Sequence, residues 1–318
     1  MSLELEAILR KARESSWRTF GKKIRFYVPS FASYQSISFK SSGNSFPSLS
    51  ITGNSCALRC KHCGGKVLST MIPATDPKDL IATCAKLSGG GAKGCLISGG
   101  CLSDGSMPLE RFIDAIAYIK KMYDLKIAVH TGIIDKSLVK KLKDAGVDVA
   151  MIDIIGSEET IKEIYNLNVK VKDFEASLKA LNELKMTFVP HIIIGLHYGM
   201  LKGEINALNI IKRYNPSALV AIVLMPLKGT PMENIEPPRP EDIAKILAMA
   251  KLKIPHKPLA LGCMRPKGNH RKTTDILAIK AGVNGIAFPE EEAIDFARSL
   301  GLTIDFYSEC CSDLYTIC

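Results

Sequence analysis

Three cysteines early in the chain are spaced so that their thiols could converge on one small inorganic cluster. Cys56, Cys60 and Cys63 lie on a loop at positions i, i+4 and i+7, shortly after the alternating apolar stretch at 49–52. Cysteine thiolates are the ligands that hold iron-sulfur clusters. A cubane of four irons held by only three cysteines keeps one iron open for an external ligand. The spacing therefore predicts a cluster that can bind a small molecule at one corner.

Two other uses of these thiols agree less well with the sequence. A tetrahedral zinc site usually takes paired Cys-x2-4-Cys units and a fourth nearby ligand, so a zinc-binding regulatory protein is the alternative of a different class. A structural disulfide requires an oxidising compartment. Residues 1–23 carry charges every few positions and lack the apolar core of a signal peptide, so we expect a reducing, cytoplasmic location.

The composition is that of a folded globular protein with a large core. The 318 residues are 47% hydrophobic and 23% charged, which excludes the disordered and fibrous classes. No uninterrupted apolar run approaches the ~20 residues of a membrane span. The net charge is +10, but the basic residues are scattered along helix-like segments such as 136–144 and 162–173. That pattern indicates a solvated outer face, which disfavours nucleic acid as a partner and ranks an acidic protein above it.

A repeating unit of a short apolar run, a polar loop and an amphipathic helix extends over most of the chain. The predicted strands are 49–52, 94–98, 126–130, 147–155, 187–194, 218–225, 259–263 and 285–288. The predicted helices are 77–87, 109–122, 136–145, 173–184, 204–213, 241–252, 274–281 and 290–300. Near-continuous apolar strands that alternate with helices favour a parallel sheet covered on both faces.

Eight such units predict a closed (β/α)8 barrel of the TIM type, with an open doubly wound sheet as the alternative. The barrel would occupy residues 46–305. It would be preceded at 1–45 by an amphipathic helix and a lead-in that the sequence does not resolve. Residues 306–318 would form a cysteine-containing tail over the barrel mouth.

Chemistry in such a barrel takes place on the loops at the carboxyl ends of the strands. Most of the unusual polar residues fall at or just past predicted strand ends, and His191 lies within the fifth strand. They are Cys63 and its loop, Gly99, Gly100, Cys101, His130, Asp153, Gly195, the 226–230 loop, Cys263 and Arg265. We therefore expect one mouth of the barrel to contain nearly all of them.

A second group of cysteines could form another metal centre. Cys101 and Cys263 follow predicted strands two and seven, and Cys310 and Cys311 lie in the tail. Four thiols above the barrel could hold a second iron-sulfur cluster. The alternative is that Cys310 and Cys311 are surface thiols and that Cys263 belongs to the core. We expect Cys84 and Cys95 to be buried structural residues and Cys318 to be frayed.

The chain resembles the radical S-adenosylmethionine (SAM) superfamily, and within it the biotin synthase-related branch. The matching phrases, in order, are Ser-Ile-Thr-Gly at 50–53, Cys-Lys-His-Cys-Gly-Gly-Lys at 60–66, Ile-Ser-Gly-Gly-Cys at 97–101, Pro-His-Ile-Ile-Ile-Gly-Leu-His at 190–197, Gly-Cys-Met-Arg-Pro at 262–266 and the late Cys-Cys. The resemblance is strongest to the archaeal-type two-component lipoyl synthases.

The resemblance implies a set of roles around a [4Fe-4S] cluster on Cys56, Cys60 and Cys63. SAM would chelate the open iron and be cleaved reductively to a radical that abstracts hydrogen. By analogy with the family, the remaining cofactor contacts come from a few backbone and side-chain groups. The backbone at His62 would lie against the adenine, Gly99 and Gly100 would bind the methionine amino group, Asp153 would contact the ribose, and Gly195 would border the adenine.

The resemblance also implies the reaction and its partners. Sulfur would be inserted into a protein-bound octanoyl chain, on a lipoyl-domain protein or an octanoyl peptide. A related radical SAM subunit would assist, and a donor such as ferredoxin would supply electrons. His130, His191 and Arg265 would orient the substrate or the second cluster, or be satisfied structural residues. A single-cluster mutase, lyase or methylase is the alternative within the superfamily.

Overall fold

The computed structural model describes residues 2–29 and 45–317, so most of the predicted lead-in and Cys318 lie outside the described residues. Ten α-helices are found in this part of the chain. They are α1 Leu3–Phe20, α2 Pro77–Gly89, α3 Ile113–Met122, α4 Lys136–Asp144, α5 Glu158–Tyr165, α6 Val171–Glu183, α7 Glu204–Ile211, α8 Pro240–Lys253, α9 Asn269–Lys280 and α10 Glu291–Ser299. Short 3-10 helices occur at Lys66–Thr70, Leu109–Phe112 and Cys311–Ile317.

The described strands form one parallel sheet. They are β1 Lys23–Tyr27, β2 Ser48–Ser50, β3 Ile72–Pro73, β4 Gly94–Ser98, β5 Lys126–His130, β6 Val149–Asp153, β7 Phe188–Ile194, β8 Leu219–Val223, β9 Leu259–Leu261, β10 Gly285–Ala287 and β11 Thr303–Tyr307. Their order across the sheet is β11-β1-β10-β9-β8-β7-β6-β5-β4-β2-β3. Each of the eight predicted strands overlaps one of these, and the alternation of strands and helices is confirmed.

The prediction of a closed barrel was wrong, because the sheet is a partial barrel. Its edge strands β3 and β11 do not pair with each other within the described residues. The two sides of the gap meet instead through side chains, since Ser45 Oγ before β2 lies 2.9 Å from Ser308 Oγ after β11. Strand β1 lies between β10 and β11, so the sheet extends beyond the predicted 46–305 on both sides.

Successive side chains of a strand point to opposite faces of the sheet, so one residue faces the helices and the next faces the interior of the barrel. On β6, Ala150 and Ile152 pack in the helix-facing core, whereas Val149 and Met151 face the interior. The interior cluster comprises Tyr27, Ala128, Val149, Met151, Val189, Val220, Ala260, Ala287, Cys311 and Leu314, together with smaller contributions from the strand ends.

The C-terminal tail lies at the opposite end of the barrel from its predicted place over the mouth. Asp313 Oδ1 is 2.6 Å from Nζ of Lys126, the first residue of β5. Leu314 packs against Gly285, the first residue of β10. Cys311, Leu314 and Ile317 of the tail belong to the interior cluster. Burying these apolar side chains stabilises the tail inside the barrel. The tail thus closes the amino-terminal end of the barrel. None of the described helices is both long enough and apolar enough to span a bilayer.

Candidate iron-sulfur site

The loop that carries the first three cysteines is folded by its own backbone and by α5. The amides of Cys63 and Gly64 both donate to the carbonyl of Cys60, at 3.1 and 2.7 Å, which makes a tight turn. The Lys61 amide donates to the Ile164 carbonyl at 2.8 Å, near the end of α5. The loop is therefore held on a helix that the sequence analysis did not find, although its Ser157 N-cap and acidic first turn are readable signals.

The thiols of Cys60 and Cys63 lie beside the ring of His62. One possible ligand atom from each residue lies within 4.8 Å of the others. A hydrogen bond from the Cys60 thiol lowers the pKa of Cys63, and the neighbouring His62 acts in the same direction. Nδ1 of His62 is buried and has no hydrogen-bond partner among the described residues. The site thus combines a stabilised thiolate with a polar atom that needs a partner.

The third thiol, on Cys56, lies on the loop that follows β2 and is held by the loop that follows β4. The Gly100 amide donates to Thr52 Oγ1 at 2.7 Å, and the Ala57 amide donates to the Cys101 carbonyl at 2.9 Å. A Cβ at Gly100 would lie 2.0 Å from the Ser55 carbonyl oxygen. Position 100 must therefore be glycine if the Cys56 loop is to lie where it does.

The donor set fits a cluster better than a mononuclear ion. Tetrahedral zinc with Zn–S bonds of about 2.3 Å brings its sulfurs to about 3.8 Å from one another. Within the described residues, Cys56 does not join the 4.8 Å group of Cys60, His62 and Cys63. Three thiols spread around a space wider than a single ion occupies suit a cubane that has one open iron.

Cys101 lies with this first thiol group, whereas the sequence analysis had grouped it with the later cysteines. Burial raises the pKa of Cys101 to about 12, and the charges of Cys56 and Asp153 add to that effect. Its backbone carbonyl is already tied to the Cys56 loop. The predicted four-thiol set Cys101, Cys263, Cys310 and Cys311 is therefore divided by the structure.

A carboxylate and two imidazoles lie on three neighbouring strands. His130 and Asp153 are the last residues of β5 and β6, and His191 lies within β7, where it pairs with Asp153 in the sheet. Asp153 Oδ1 is 3.5 Å from His130 Nε2, and the rings of His130 and His191 have centroids 6.0 Å apart. Burial would raise the pKa of Asp153, but His130, together with His191 and His62, outweighs burial, so the pKa of Asp153 is lowered. Burial lowers the pKa of His191 to about 4, so this imidazole is neutral.

Cys263, Cys310 and Cys311 form a second thiol group inside the barrel. Cys311 is part of the interior cluster, and Cys263 and Cys310 pack against it. Burial raises the pKa of Cys263 to about 11, with the Cys310 thiolate adding to the effect. A hydrogen bond from the Cys311 thiol lowers the pKa of Cys310. The tail therefore brings two thiols to Cys263 from inside the barrel and not from above it.

Arg265 has a structural role, which was one of the two roles considered in the sequence analysis. Its side chain is fully buried, and Nε and Nη2 bind the two carboxylate oxygens of Asp275 at 2.8 and 2.9 Å. Nη1 donates to the carbonyls of Gly262 and Ala287, and Nη2 also donates to that of Phe288. All five N–H groups of the guanidinium are used within the protein. Arg265 therefore fixes the loop of Cys263 and has no donor left for a substrate.

Two further positions near the site were absent from the sequence-based set. The ring of Tyr165 lies tilted against that of His62 with centroids 5.3 Å apart, and Glu204 Oε1 accepts from the Gly195 amide at 2.8 Å. Gly195 has φ +77°, and a Cβ there would lie 2.5 Å from Pro238. Glu204 thus holds the turn after β7 in the left-handed region that glycine allows. Tyr165 lies on a helix distant in sequence from His62, and Glu204 begins α7 nine residues after Gly195; no local pattern indicates the contact that either makes.

Comparisons with known proteins agree with this geometry. The Radical SAM superfamily model matches residues 50–209, half of the chain. A biotin synthase of Ruthia magnifica is 26% identical over 188 residues, which are 58% of this chain and 56% of that protein. A biotin synthase of Rickettsia felis is 25% identical over 76% of this chain and 79% of that protein. Among solved structures, methylornithine synthase (PylB) has a TM-score of 0.62 and 14% identity, covering 100% of this chain and 93% of that one.

The match and the site point to the same cofactors. Enzymes of this superfamily use a [4Fe-4S] cluster and SAM. The matched region contains Cys56, Cys60 and Cys63, and also Gly99 and Gly100, of which Gly100 lies against Cys56. The chain belongs to the radical SAM superfamily.

Proposed function

We propose that this radical SAM enzyme inserts sulfur into unactivated C–H bonds of a protein-bound octanoyl chain, as a lipoyl synthase does, together with a partner subunit. The observation that carries the proposal is the second thiol group of Cys263, Cys310 and Cys311 inside the barrel. A second iron-sulfur centre there would be a source of sulfur within the same cavity. The biotin synthase relatives support a sulfur-inserting reaction.

The first thiol group would hold the [4Fe-4S] cluster, and the loops around it would bind SAM. When bound, the cluster would supply the one-electron reduction by which SAM becomes a hydrogen-abstracting radical. Gly99 and Gly100 offer backbone groups next to Cys56. The backbone at His62, the turn at Gly195 and the carboxylate of Asp153 would contact the nucleoside.

The barrel would protect the radical from water and direct the entry of the substrate. The tail closes the amino-terminal end, where Asp313 binds Lys126. The interior cluster fills the space above the tail with apolar side chains. A substrate chain would therefore enter from the carboxyl end of the strands, between the two thiol groups. Exclusion of water suppresses side reactions of a reactive intermediate.

The partners are proposed on the same basis. The reductant would be an acidic carrier such as ferredoxin, since a net charge of +10 favours association with an acidic protein. A related radical SAM subunit would complete the enzyme. Raising the ionic strength should slow reduction by ferredoxin and leave reduction by dithionite unchanged. Equal salt dependence for both reductants would contradict the proposed docking.

Incubation of the anaerobically reconstituted protein with SAM, a reductant and an octanoyl-lysyl peptide, with and without the partner, tests the reaction. Mass spectrometry should find 5′-deoxyadenosine and a thiolated peptide. Cys310→Ala/Cys311→Ala should cleave SAM but transfer no sulfur, because the second thiol group is lost. Cys84→Ala is the matched control, since Cys84 is a buried thiol on α2 outside both thiol groups.

Two results would contradict the proposal. Full iron content and normal thiolation in the double variant would show that the second thiol group supplies no sulfur. SAM cleavage without thiolation, at about four irons per chain, would favour the single-cluster mutase, lyase or methylase. The absence of any SAM cleavage by the reduced protein would leave the zinc-binding alternative.

A further inference from the structure

Arg59, the residue before Cys60, has a backbone conformation that is unusual for its residue type. Its φ is +43°, in the left-handed region that residues with a Cβ rarely adopt. Its side chain is exposed, so burial of the side chain does not account for this conformation. A residue in a sparsely populated region stays there only when the surrounding structure holds it. The restraint on Arg59 must therefore come from the residues on either side of it.

Both sides of Arg59 are anchored to the C-terminal end of α5. On one side, Nδ2 of Asn166 donates to the Leu58 carbonyl at 3.3 Å. On the other side, the Lys61 amide donates to the Ile164 carbonyl at 2.8 Å. The two anchors come from positions two residues apart at one end of the helix. Together they fix the course of the chain between positions 58 and 61.

The same end of α5 also meets the sulfur of Cys60 and the ring of His62. Sγ of Cys60 lies 3.7 Å from the Tyr165 carbonyl oxygen, and the rings of Tyr165 and His62 have centroids 5.3 Å apart. A cysteine that binds a metal does so as the thiolate, which has no proton to donate. The contact between Sγ and the carbonyl therefore cannot hold Cys60 once it is a ligand. The position of Cys60 then depends on the two backbone anchors.

Asn166 can both end α5 and bind the cluster loop. It follows the last helical residue with φ +52° and ψ +33°, and its backbone amide donates to the Ile161 carbonyl. Asparagine adopts this left-handed conformation more readily than most residues with a side chain. Glycine would end the helix equally well, but it has no amide group to offer to Leu58. The contact with Leu58 is therefore separable from the ending of the helix.

We propose that Asn166 is a positioning residue for the first cluster. Its side-chain amide holds the Leu58 carbonyl, keeps Arg59 in the left-handed region and so sets the direction in which Cys60 presents its sulfur. The loop has this course before any cluster binds, which reduces the ordering that cluster binding requires. The inference rests on the first cluster, which membership of the superfamily implies, and does not depend on sulfur insertion.

Hydrogen–deuterium exchange of the metal-free protein tests the anchor without any cofactor. Asn166→Gly keeps the left-handed helix end and removes only the side-chain amide, so the variant should fold normally. Exchange of the Lys61 amide should become about fivefold faster, the factor expected for the loss of one neutral hydrogen bond. Lys185→Gly is the matched control, since Lys185 is an exposed residue with φ +52° just after α6. Exchange at Lys61 that is unchanged by Asn166→Gly would overturn the proposal.

EPR of the reduced, anaerobically reconstituted protein measures the first cluster through its response to SAM. A cubane with an open iron can bind SAM and change its spectrum, so the SAM-responsive signal reports the first cluster. Asn166→Gly should lower this signal about fivefold. Asn166→Asp keeps the shape but places a carboxylate oxygen against the Leu58 carbonyl, so its loss should be at least as large. Lys185→Gly should match the wild type. A full signal in both Asn166 variants would contradict the positioning role.

A double-mutant cycle with Arg59→Gly separates positioning from a general loss of stability. Glycine occupies the left-handed region without the penalty of a Cβ, so the loop no longer needs the anchor to keep it there. In the Arg59→Gly background, Asn166→Gly should therefore lower the SAM-responsive signal by less than about twofold. A loss of the same size in both backgrounds would overturn the link between Asn166 and Arg59.

The proposed function can fail separately, because the exchange and EPR measurements need no octanoyl substrate. Wild-type protein that cleaves SAM but thiolates no peptide would contradict sulfur insertion and would leave the role of Asn166 standing. Exchange at Lys61 and a SAM-responsive signal that are both insensitive to Asn166→Gly would overturn the role of Asn166 and would leave sulfur insertion standing.

Discussion

Replacing Gly100 by alanine should disable the first cluster site, because the position has no room for a methyl group. The new Cβ would lie 2.0 Å from the Ser55 carbonyl oxygen and 2.6 Å from Cα and Cβ of Cys56. Ordinary contact begins at 3.4 Å, so the backbone before Cys56 must retreat by about 1.4 Å. A misplacement of about 1 Å in a reacting site can cost on the order of 10²-fold in rate.

We expect the rate of 5′-deoxyadenosine formation by Gly100→Ala to fall about 100-fold, with a loss of iron from the first site. The assay is a single-turnover measurement by mass spectrometry, paired with iron analysis of the same sample. Gly89→Ala, at the exposed end of α2, is the matched control because its added methyl would meet nothing within 4 Å. A Gly100→Ala protein with normal iron and a normal rate would refute the steric argument.

Three other substitutions test the supporting structure. Asp275→Asn leaves the charge of Arg265 buried and without its carboxylate, so the free energy of unfolding should fall by about 3–5 kcal/mol in denaturant titrations. Asp313→Ala removes the partner of Lys126 and should speed limited proteolysis of the tail, followed by mass spectrometry. Burial raises the pKa of Glu204, so ionising this group opposes folding, and the stability of the wild-type protein should fall as pH rises from about 4.3 through that raised pKa. Glu204→Gln cannot ionise and should remove this dependence in thermal melts.

These three outcomes have separate controls. Glu292→Gln breaks an exposed pair with Lys272 and should cost no more than about 1 kcal/mol. If Asp275→Asn lowered the free energy of unfolding by no more than Glu292→Gln does, the structural role of Arg265 would be contradicted. Unchanged proteolysis of Asp313→Ala would place the tail under other restraints. Parallel pH profiles for the wild-type and Glu204→Gln proteins would show that Glu204 is not buried as described.

The parallel α/β fold could be predicted because each β/α unit is local. An apolar strand, a loop and an amphipathic helix leave their pattern within about thirty residues. Of the three strands that were missed, β1 alternates polar and apolar residues within the lead-in that was left unresolved, and the other two have no such pattern of their own. Strand β3 has two residues, and β11 has an exposed and intermediate pattern with no fully buried residue. Whether a sheet closes into a barrel depends on pairing between edge strands that lie far apart in sequence. The hydrophobic period of each segment carries no information on that pairing, so it could not distinguish a closed barrel from a partial one.

The candidate site was predictable where spacing alone defines it. Cys56, Cys60 and Cys63 share one loop, and Gly100 follows a strand in the recognised phrase. The second thiol group depends on where the tail packs, and the interior can be reached from either end of a barrel. Sequence order placed Cys310 past the last helix without indicating which end the chain would enter. The burial of Leu314 and its neighbours in the interior cluster determines the end at which the tail packs.

Strand β1 has a consequence for how the molecule is made. Both of its hydrogen-bonded neighbours, β10 and β11, come from residues 285–307, although β1 itself spans residues 23–27. During synthesis, the backbone N–H and C=O groups on both sides of β1 stay without their final partners until residues 285–307 have left the ribosome. Strand pairs of such long sequence separation form slowly. Until they form, the unpaired strand edges are exposed and prone to aggregation. The nascent chain should therefore depend on chaperones, and metal loading of the interior should come after residues 285–307 have been synthesised.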